Sequence, residues 1–266
     1  MKKVFVTGAS SGIGLAISQA LTRGGHEVWG TSRKPEQLTP AERFHPVGLD
    51  LRDMNGIDTT FDRAWSEAGH FDVLINNAGS GHFGPAESLS GHEIADQFQI
   101  LFFSHIRLMQ RALTKMQSRN AGLIVNVSSL AGRLPVPFMA AYNAGKAALS
   151  SFTMTMQLEL ARSGVHLVDL QPADIRTHFN EAINKKPENQ QYAGNVAQTW
   201  KLVDHNMQTA PGPEIVAQAI LALLDQANPP PRVTVGNFFQ ARIAPFIFRF
   251  LPQRLGLWGL KKYYRL

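Results

Sequence analysis

The period of the apolar positions divides the chain into short β-rich runs and longer stretches of helical period. The β-rich runs are KVFVT (3–7), EVWGTS (27–32), HPVGLD (45–50), FDVLIN (71–76), LIVNVS (123–128), VHLVDL (165–170) and RVTVG (232–236). Helical period fills 12–24, 53–69, 90–118, 142–163 and 213–227. Strands alternating with helices imply a parallel sheet, and near-continuous apolar runs within the strands imply that helices cover both of its faces. The expected class is α/β, with residues 1–236 as a single domain. Two segments break the rhythm. Residues 180–210 are polar and weakly periodic, with Tyr192 and Trp200 isolated among them, as expected of a surface insertion or a lid over a substrate site. Residues 237–266 alternate aromatics, prolines and basic residues, and Pro245 and Pro252 are expected to interrupt any single long helix there.

Composition narrows the picture. A hydrophobic share of 44% over 266 residues supports a large core, and the absence of cysteine removes disulfides, thiolate metal sites and a cysteine nucleophile. No metal site is expected. The start, MKKVFVTGAS, has too short an apolar run for a secretory signal, and no run approaches the ~18 residues of a membrane span, so a cytoplasmic protein is expected. The net charge is +6, and six basic residues with no acidic one fall in 237–266. Removing those six from the 26 Lys and Arg leaves 20, equal to the 20 Asp and Glu. The basic character therefore belongs to the terminal segment and does not mark a nucleic-acid-binding domain.

Candidate chemistry lies at the strand ends. TGASSGIG (7–14) follows the first strand and opens a helix; Gly8, Gly12 and Gly14 would let the backbone turn tightly and approach a pyrophosphate, which the helix N-terminal amides would then face. The second strand ends in Ser32 and Arg33, where a site that selects a ribose 2′-hydroxyl carries an acid. An arginine fork suits a 2′-phosphate instead, so NADP(H) is expected in preference to NAD(H). YNAGK (142–146) places Tyr142 and Lys146 one helical turn apart on one face. An ammonium there would stabilise a phenolate and lower the phenol pKa from its usual value near ~10, so that the tyrosine can pass a proton to or from a reacting oxygen.

These residues together resemble the short-chain dehydrogenase/reductase family. The resemblance covers roughly residues 3–180 and rests on TGASSGIG (7–14), NNAG (76–79), VSS (127–129) and YNAGK (142–146), in the family's order and spacing. It implies a Rossmann-type doubly wound parallel sheet of about seven strands, a nicotinamide cofactor, and hydride transfer between an alcohol and a carbonyl. By that resemblance Ser129, 13 residues before Tyr142, polarises the substrate oxygen, Tyr142 handles the proton, and Lys146 tunes Tyr142 and grips the ribose. The cofactor contacts implied are Gly8, Ser10, Ser11, Gly12, Ile13, Gly14, Ser32, Arg33, Asp50, Leu51, Asn77, Ala78, Gly79, Tyr142, Lys146, Pro172, Ile175 and Thr177, with Asp50 against the adenine. Ser128, one residue early, would face the other side of an extended segment.

Three positions depart from the family pattern. Leu101 stands 28 residues before Ser129, where the family has an asparagine that helps hold a proton-relay water. Either backbone carbonyls hold that water alone, or Ser104 or His105 substitutes, or the relay is impaired. The last case leaves open a cofactor-binding regulatory or scaffold protein with weak or lost turnover. Ala173 replaces a glycine after Pro172, and Gly145 replaces a serine with little expected effect on the chemistry. Pocket candidates at the strand ends are His82, Phe83, Pro137, Phe138 and Met139, which suggest a small lipophilic ketone, aldehyde or alcohol as substrate. The terminal segment is open to three roles: peripheral contact with an anionic membrane, cover over the pocket, or packing on a partner subunit. A homo-oligomer, dimer or tetramer, is expected from the family resemblance.

Overall fold

The apolar runs of the first 236 residues become the strands of one sheet. The computed structural model describes residues 1–185 and 193–266. Its main sheet contains β1 (Lys3–Val6), β2 (Glu27–Ser32), β3 (Phe44–Gly48), β4 (Val73–Asn76), β5 (Gly122–Val127), β6 (Val165–Pro172) and β7 (Arg232–Val235). All pairings are parallel, and the spatial order is β3, β2, β1, β4, β5, β6, β7. Winding runs outward from β1 in both directions, so the sheet is a doubly wound Rossmann-type sheet and its crevice opens at the carboxyl ends of β1 and β4. The register centres on β1, where Val4 lies between Val28 and Val73.

The strand period of two sorts the core into two layers. Phe5 points to one face, where it meets Phe61 and Phe71 at ring-centroid distances of 5.1 and 5.3 Å beneath Trp29 and Leu108. Val4 and Val6 point to the other, against Ile17, Val28, Val216 and Ile220. The covering helices are α1 (Gly12–Arg23), α2 (Met54–Ala68), α3 (Gly91–Phe98), α4 (Ser104–Ser118), α5 (Ala140–Glu159), α6 (Ala193–Thr209) and α7 (Glu214–Leu224). Local signals set their starts. Asp53 caps α2 by accepting from Gly56 N at 3.0 Å, and Ser90 and Glu93 form a capping box on α3. The expected helix 90–118 is continuous, but a π-helical turn, Gln99–Phe103, joins α3 to α4. Such turns occur preferentially at functional sites, and this one carries Leu101.

The irregular segments acquire structure that their polar pattern hid. Asn184–Lys185 pairs in parallel with His82–Phe83, and Trp200 on α6 packs edge-on against Phe83 at 4.8 Å. Tyr192 lies outside the described residues. The terminal segment forms a π turn (Phe239–Ile243), α8 (Ala244–Phe250) and α9 (Gln253–Tyr264). Pro252 does separate two helices; Pro245 does not, because it enters in the first turn of α8, where no amide donor is required. Among the described residues no helix is long and apolar enough to cross a membrane.

Candidate active site

The glycine loop after β1 is shaped to hold an anion. Gly8 and Gly12 have φ of 70° and 53°, the left-handed region that favours glycine. A Cβ on Gly14 would lie 2.0 Å from the Gly8 carbonyl oxygen, so only glycine lets α1 start against the loop. Ser11 caps α1 in extended conformation without a side-chain bond to its amides, and the first turn holds no acidic residue. Those amides are therefore left for an anion, and the loop fits a pyrophosphate. Thr7 fixes the neighbouring edge: its Oγ1 accepts from Asn77 N at 2.8 Å and Ala78 N at 3.0 Å.

From this loop a cleft of about 980 Å³ runs along the carboxyl edge of the sheet. Its wall includes every residue expected at the cofactor: Gly8, Ser10, Ser11, Gly12, Ile13, Gly14, Ser32, Arg33, Asp50, Leu51, Asn77, Ala78, Gly79, Tyr142, Lys146, Pro172, Ile175 and Thr177. Ser129 and Met139 also line it. The Arg33 side chain is exposed at the far end, and Ser32 Oγ accepts from Lys34 N at 3.1 Å.

Ser129, Tyr142 and Lys146 meet at the middle of the cleft. The Ser129 side chain lies close enough to the Tyr142 hydroxyl to favour its ionised form, and its Oγ accepts from Ala131 N at 3.1 Å. Lys146 is 3% exposed, donates to the Val127 carbonyl at 2.7 Å, and lies 6.0 Å from the centre of the Tyr142 ring. The electrostatics correct the sequence expectation. Tyr142 keeps part of its ring open to the cleft, but its enclosed hydroxyl has a raised pKa, pushed up chiefly by burial and also by the Asp174 charge, and drawn down only by Ser129. The ammonium does not dominate, because burial weakens it too: desolvation lowers Lys146 from 10.5 to about 8, against the opposing pull of Asp169. In the protein alone the phenol thus holds its proton, as a donor must.

Asp169 was not among the expected site residues. It is 1% exposed on β6 and accepts from Ser128 Oγ, Ser150 Oγ (2.6 Å), Gln171 Nε2 (2.8 Å) and Arg232 Nε (3.0 Å). It supports the Lys146 charge and turns Ser128 away from the reaction centre, as the alternation of an extended segment requires. Its signal was an acid in the middle of an apolar strand, VHLVDLQP.

The departures at 101 and 145 prove to be coupled. Leu101 is fully buried, and a Cβ on Gly145 would meet Leu101 Cβ and Cδ1, each at 3.2 Å. The leucine occupies space that the glycine leaves. Ser104 is committed elsewhere: its Oγ lies 2.5 Å from the Leu51 carbonyl and 2.7 Å from the Gln99 carbonyl, the two acceptors within reach of its single proton. His105 is fully buried near Lys146. The carbonyls of Leu101 and Ala78 approach its ring, but neither ring nitrogen completes a well-formed hydrogen bond. Burial, then the Lys146 charge, lowers its pKa to about 3, so His105 is neutral.

The expected substrate residues divide. Met139 reaches the cleft. His82, Phe83, Pro137 and Phe138 do not line it: Phe83 and Phe138 pack behind its wall, in one apolar cluster with Met139, Ile183, Val196 and Trp200, of which Met139 and Ile183 face the cleft. The residues that sequence reasoning missed come from the terminal segment: Gln240, Ile247, Phe248, Leu260, Tyr263 and Tyr264 form one wall of the cleft. The segment is tied down by Asn206 Nδ2 donating to the Tyr263 hydroxyl at 2.7 Å and by Gln240 Nε2 donating to Asp174 Oδ2 at 2.5 Å. Asp174 itself lines the cleft, and burial raises its pKa.

Comparison with known proteins agrees with this fold. The family described as short chain dehydrogenase matches residues 2–188. A curated relative, 3-ketodihydrosphingosine reductase of Bacteroides thetaiotaomicron, is 30% identical over 98% of this chain and 97% of its own length. The crystal structure of a short-chain dehydrogenase from Streptomyces avermitilis superposes with a TM-score of 0.83 at 32% identity, covering 99% of this chain and 97% of that one. A short chain dehydrogenase from Burkholderia cenocepacia J2315, solved in complex with NADP, superposes with a TM-score of 0.74 at 26% identity, covering 97% and 96% of the two chains.

Proposed function

Because the chain belongs to the short-chain dehydrogenase/reductase family of oxidoreductases, we propose that it uses NADP(H) to interconvert a lipophilic ketone or aldehyde and the corresponding alcohol. The observation that carries this reading is the meeting of Ser129, Tyr142 and Lys146 in a cleft whose other end is a glycine loop fit for a pyrophosphate. When bound, the nicotinamide cofactor supplies the hydride. Ser129 orients and polarises the carbonyl oxygen, and Tyr142, held protonated by burial, donates the proton that this oxygen requires. Lys146 is positioned by the Val127 carbonyl, and Asp169 supports its charge.

Four further features support the finer assignments. Arg33, with Lys34 beside it on the cleft wall, suits a 2′-phosphate, and the Burkholderia neighbour was solved with NADP. Past Tyr142 the cleft is lined by Val136, Met139, Ile183, Phe248 and Leu260, which favours an apolar substrate, in line with a relative named for 3-ketodihydrosphingosine. Phe103, at the end of the π turn before α4, and Met154 and Leu158 on α5 are exposed at 49, 51 and 75%, which supports a second copy of the chain against that face. The outward side of α8 and α9 exposes Phe246, Phe250 and Trp258 among Arg249, Arg254 and Lys262, which supports contact with an anionic membrane surface. Flotation with anionic liposomes, with and without residues 240–266, tests that contact; equal flotation removes it.

The test of function is loss of reduced-cofactor absorbance with NADPH and a panel of long-chain ketones. Tyr142→Phe is expected to lower turnover by roughly 10²- to 10⁴-fold. Full turnover in that variant overturns the assignment.

A further inference from the structure

We infer that Asp169 is a positioning residue for Ser129 and Lys146: its carboxylate clamps the chain at the end of β5 to α5, and so fixes how the two side chains face Tyr142. The inference rests on the oxidoreductase reading of the cleft and adds to it the device that aligns the reacting groups.

The register of the sheet builds the clamp. Asp169 on β6 lies opposite Asn126 on β5 and Arg232 on β7. Register partners in a parallel sheet share a face, and α5 covers this one. Asn126 Nδ2 donates to Thr153 Oγ1 at 2.8 Å, and Ser150 Oγ donates to Asp169 Oδ2 at 2.6 Å; Thr153 and Ser150 both belong to α5. Gln171 Nε2 and Arg232 Nε donate to the same oxygen at 2.8 and 3.0 Å. The other oxygen, Oδ1, accepts from Ser128 Oγ. One carboxylate thus holds α5 with one oxygen and the chain just past β5 with the other.

Both attachment points adjoin the chemistry. Ser128 stands between Val127, whose carbonyl accepts from Lys146 Nζ at 2.7 Å, and Ser129, which is extended with φ −167° and ψ 152°. Consecutive side chains of an extended segment point to opposite sides. A Ser128 hydroxyl held at Asp169 therefore directs Ser129 the other way, into the cleft. On α5, Tyr142, Lys146 and Ser150 follow at intervals of four along one ridge. The helix is tied to the end of β5 at successive turns, directly through Lys146 and through Ser150 by way of Asp169. A buried ion pair adds little stability over apolar residues of the same volume. What this one supplies is alignment, and a misplacement of about 1 Å at a reacting group can cost ~10²-fold in rate.

Asp169→Asn probes the clamp. Three donors, from Ser150, Gln171 and Arg232, keep the amide oxygen on their side, which leaves the nitrogen where Oδ1 met Ser128. That variant also removes a charge, so it is compared with Ser128→Ala, which opens the same arm and leaves the charge in place. With NADPH and a long-chain ketone, each is expected to lower kcat by roughly 10- to 100-fold. KM and NADPH affinity are expected to change by less than about threefold, as for an interaction that acts on the transition state. The double variant is expected to be no slower than Asp169→Asn alone, because both changes cut one connection. Crystal structures of the intact protein and Ser128→Ala are expected to show the Ser129 hydroxyl displaced from Tyr142 in the variant. Ser128→Ala carries the test by itself where Asp169→Asn does not fold. Full turnover in Ser128→Ala, or a Ser129 hydroxyl that keeps its place there, overturns the clamp and leaves the oxidoreductase reading standing. Reduction of no ketone by the intact protein, with Ser129 displaced in the variant, overturns the oxidoreductase reading and keeps the clamp.

Discussion

Replacing Lys146 with methionine is expected to abolish turnover and, at the same time, to stabilise the protein. The two side chains are of similar length, and the site is almost sealed, with 3% of Lys146 exposed. Burial lowers its pKa from 10.5 to about 8. A shift of that size corresponds to about 3 kcal/mol of penalty for the folded charged form. Against this, the substitution removes the 2.7 Å bond to the Val127 carbonyl, a loss of about 1 kcal/mol. The net gain near neutral pH is about 2 kcal/mol, or roughly 4–8 °C in Tm for a chain of this size. The sign with pH follows from linkage. The folded pKa is the lower one, so the unfolded chain binds the extra proton between about pH 8 and 10.5, and natural stability rises across that window. Below about 8 the full penalty is present, so the variant should lead by its whole margin there and lose the lead as pH climbs toward 10.5. Equilibrium urea unfolding of both proteins at several pH values is the assay. A variant no more stable at neutral pH, or a margin that widens with pH, refutes the reasoning.

Arg33→Asp is expected to reverse the cofactor preference, weakening NADP(H) and strengthening NAD(H) in paired binding titrations; an intact protein that already binds NAD(H) more tightly defeats the assignment. Phe61→Ala is expected to destabilise by about 3–5 kcal/mol in the same unfolding assay, because its ring is fully buried against Phe5, Trp65 and Phe71. Leu101→Asn is expected to leave turnover no faster and to destabilise by about 1–3 kcal/mol, since the amide enters an apolar fit against Gly145. A much faster variant would show instead that proton supply limits the natural enzyme.

The parallel sheet was legible because its strands are buried on both faces and so announce themselves as apolar runs; β2 falls on the expected residues, and the other strands end within two of them. The cofactor loop was legible because left-handed turns at Gly8 and Gly12 and the close approach at Gly14 demand a residue type that a sequence displays directly. Trp200, Phe83 and the terminal helices were not, because their apolar faces are completed by partners distant in the chain, which no local period records. The acidity of Tyr142 was misread for a related reason: proximity to Lys146 is written in the spacing, whereas desolvation is a property of everything around the pair.

The wall over the cleft has a consequence of its own. It is drawn from one uninterrupted stretch, α8 and α9, while the proton donor and the nucleotide loop sit on α5 and β1 far upstream. One part of the substrate wall is thus encoded in a block of the gene apart from the reacting groups. Recombination between homologues at a crossover before residue 237 could exchange one without rewriting the other.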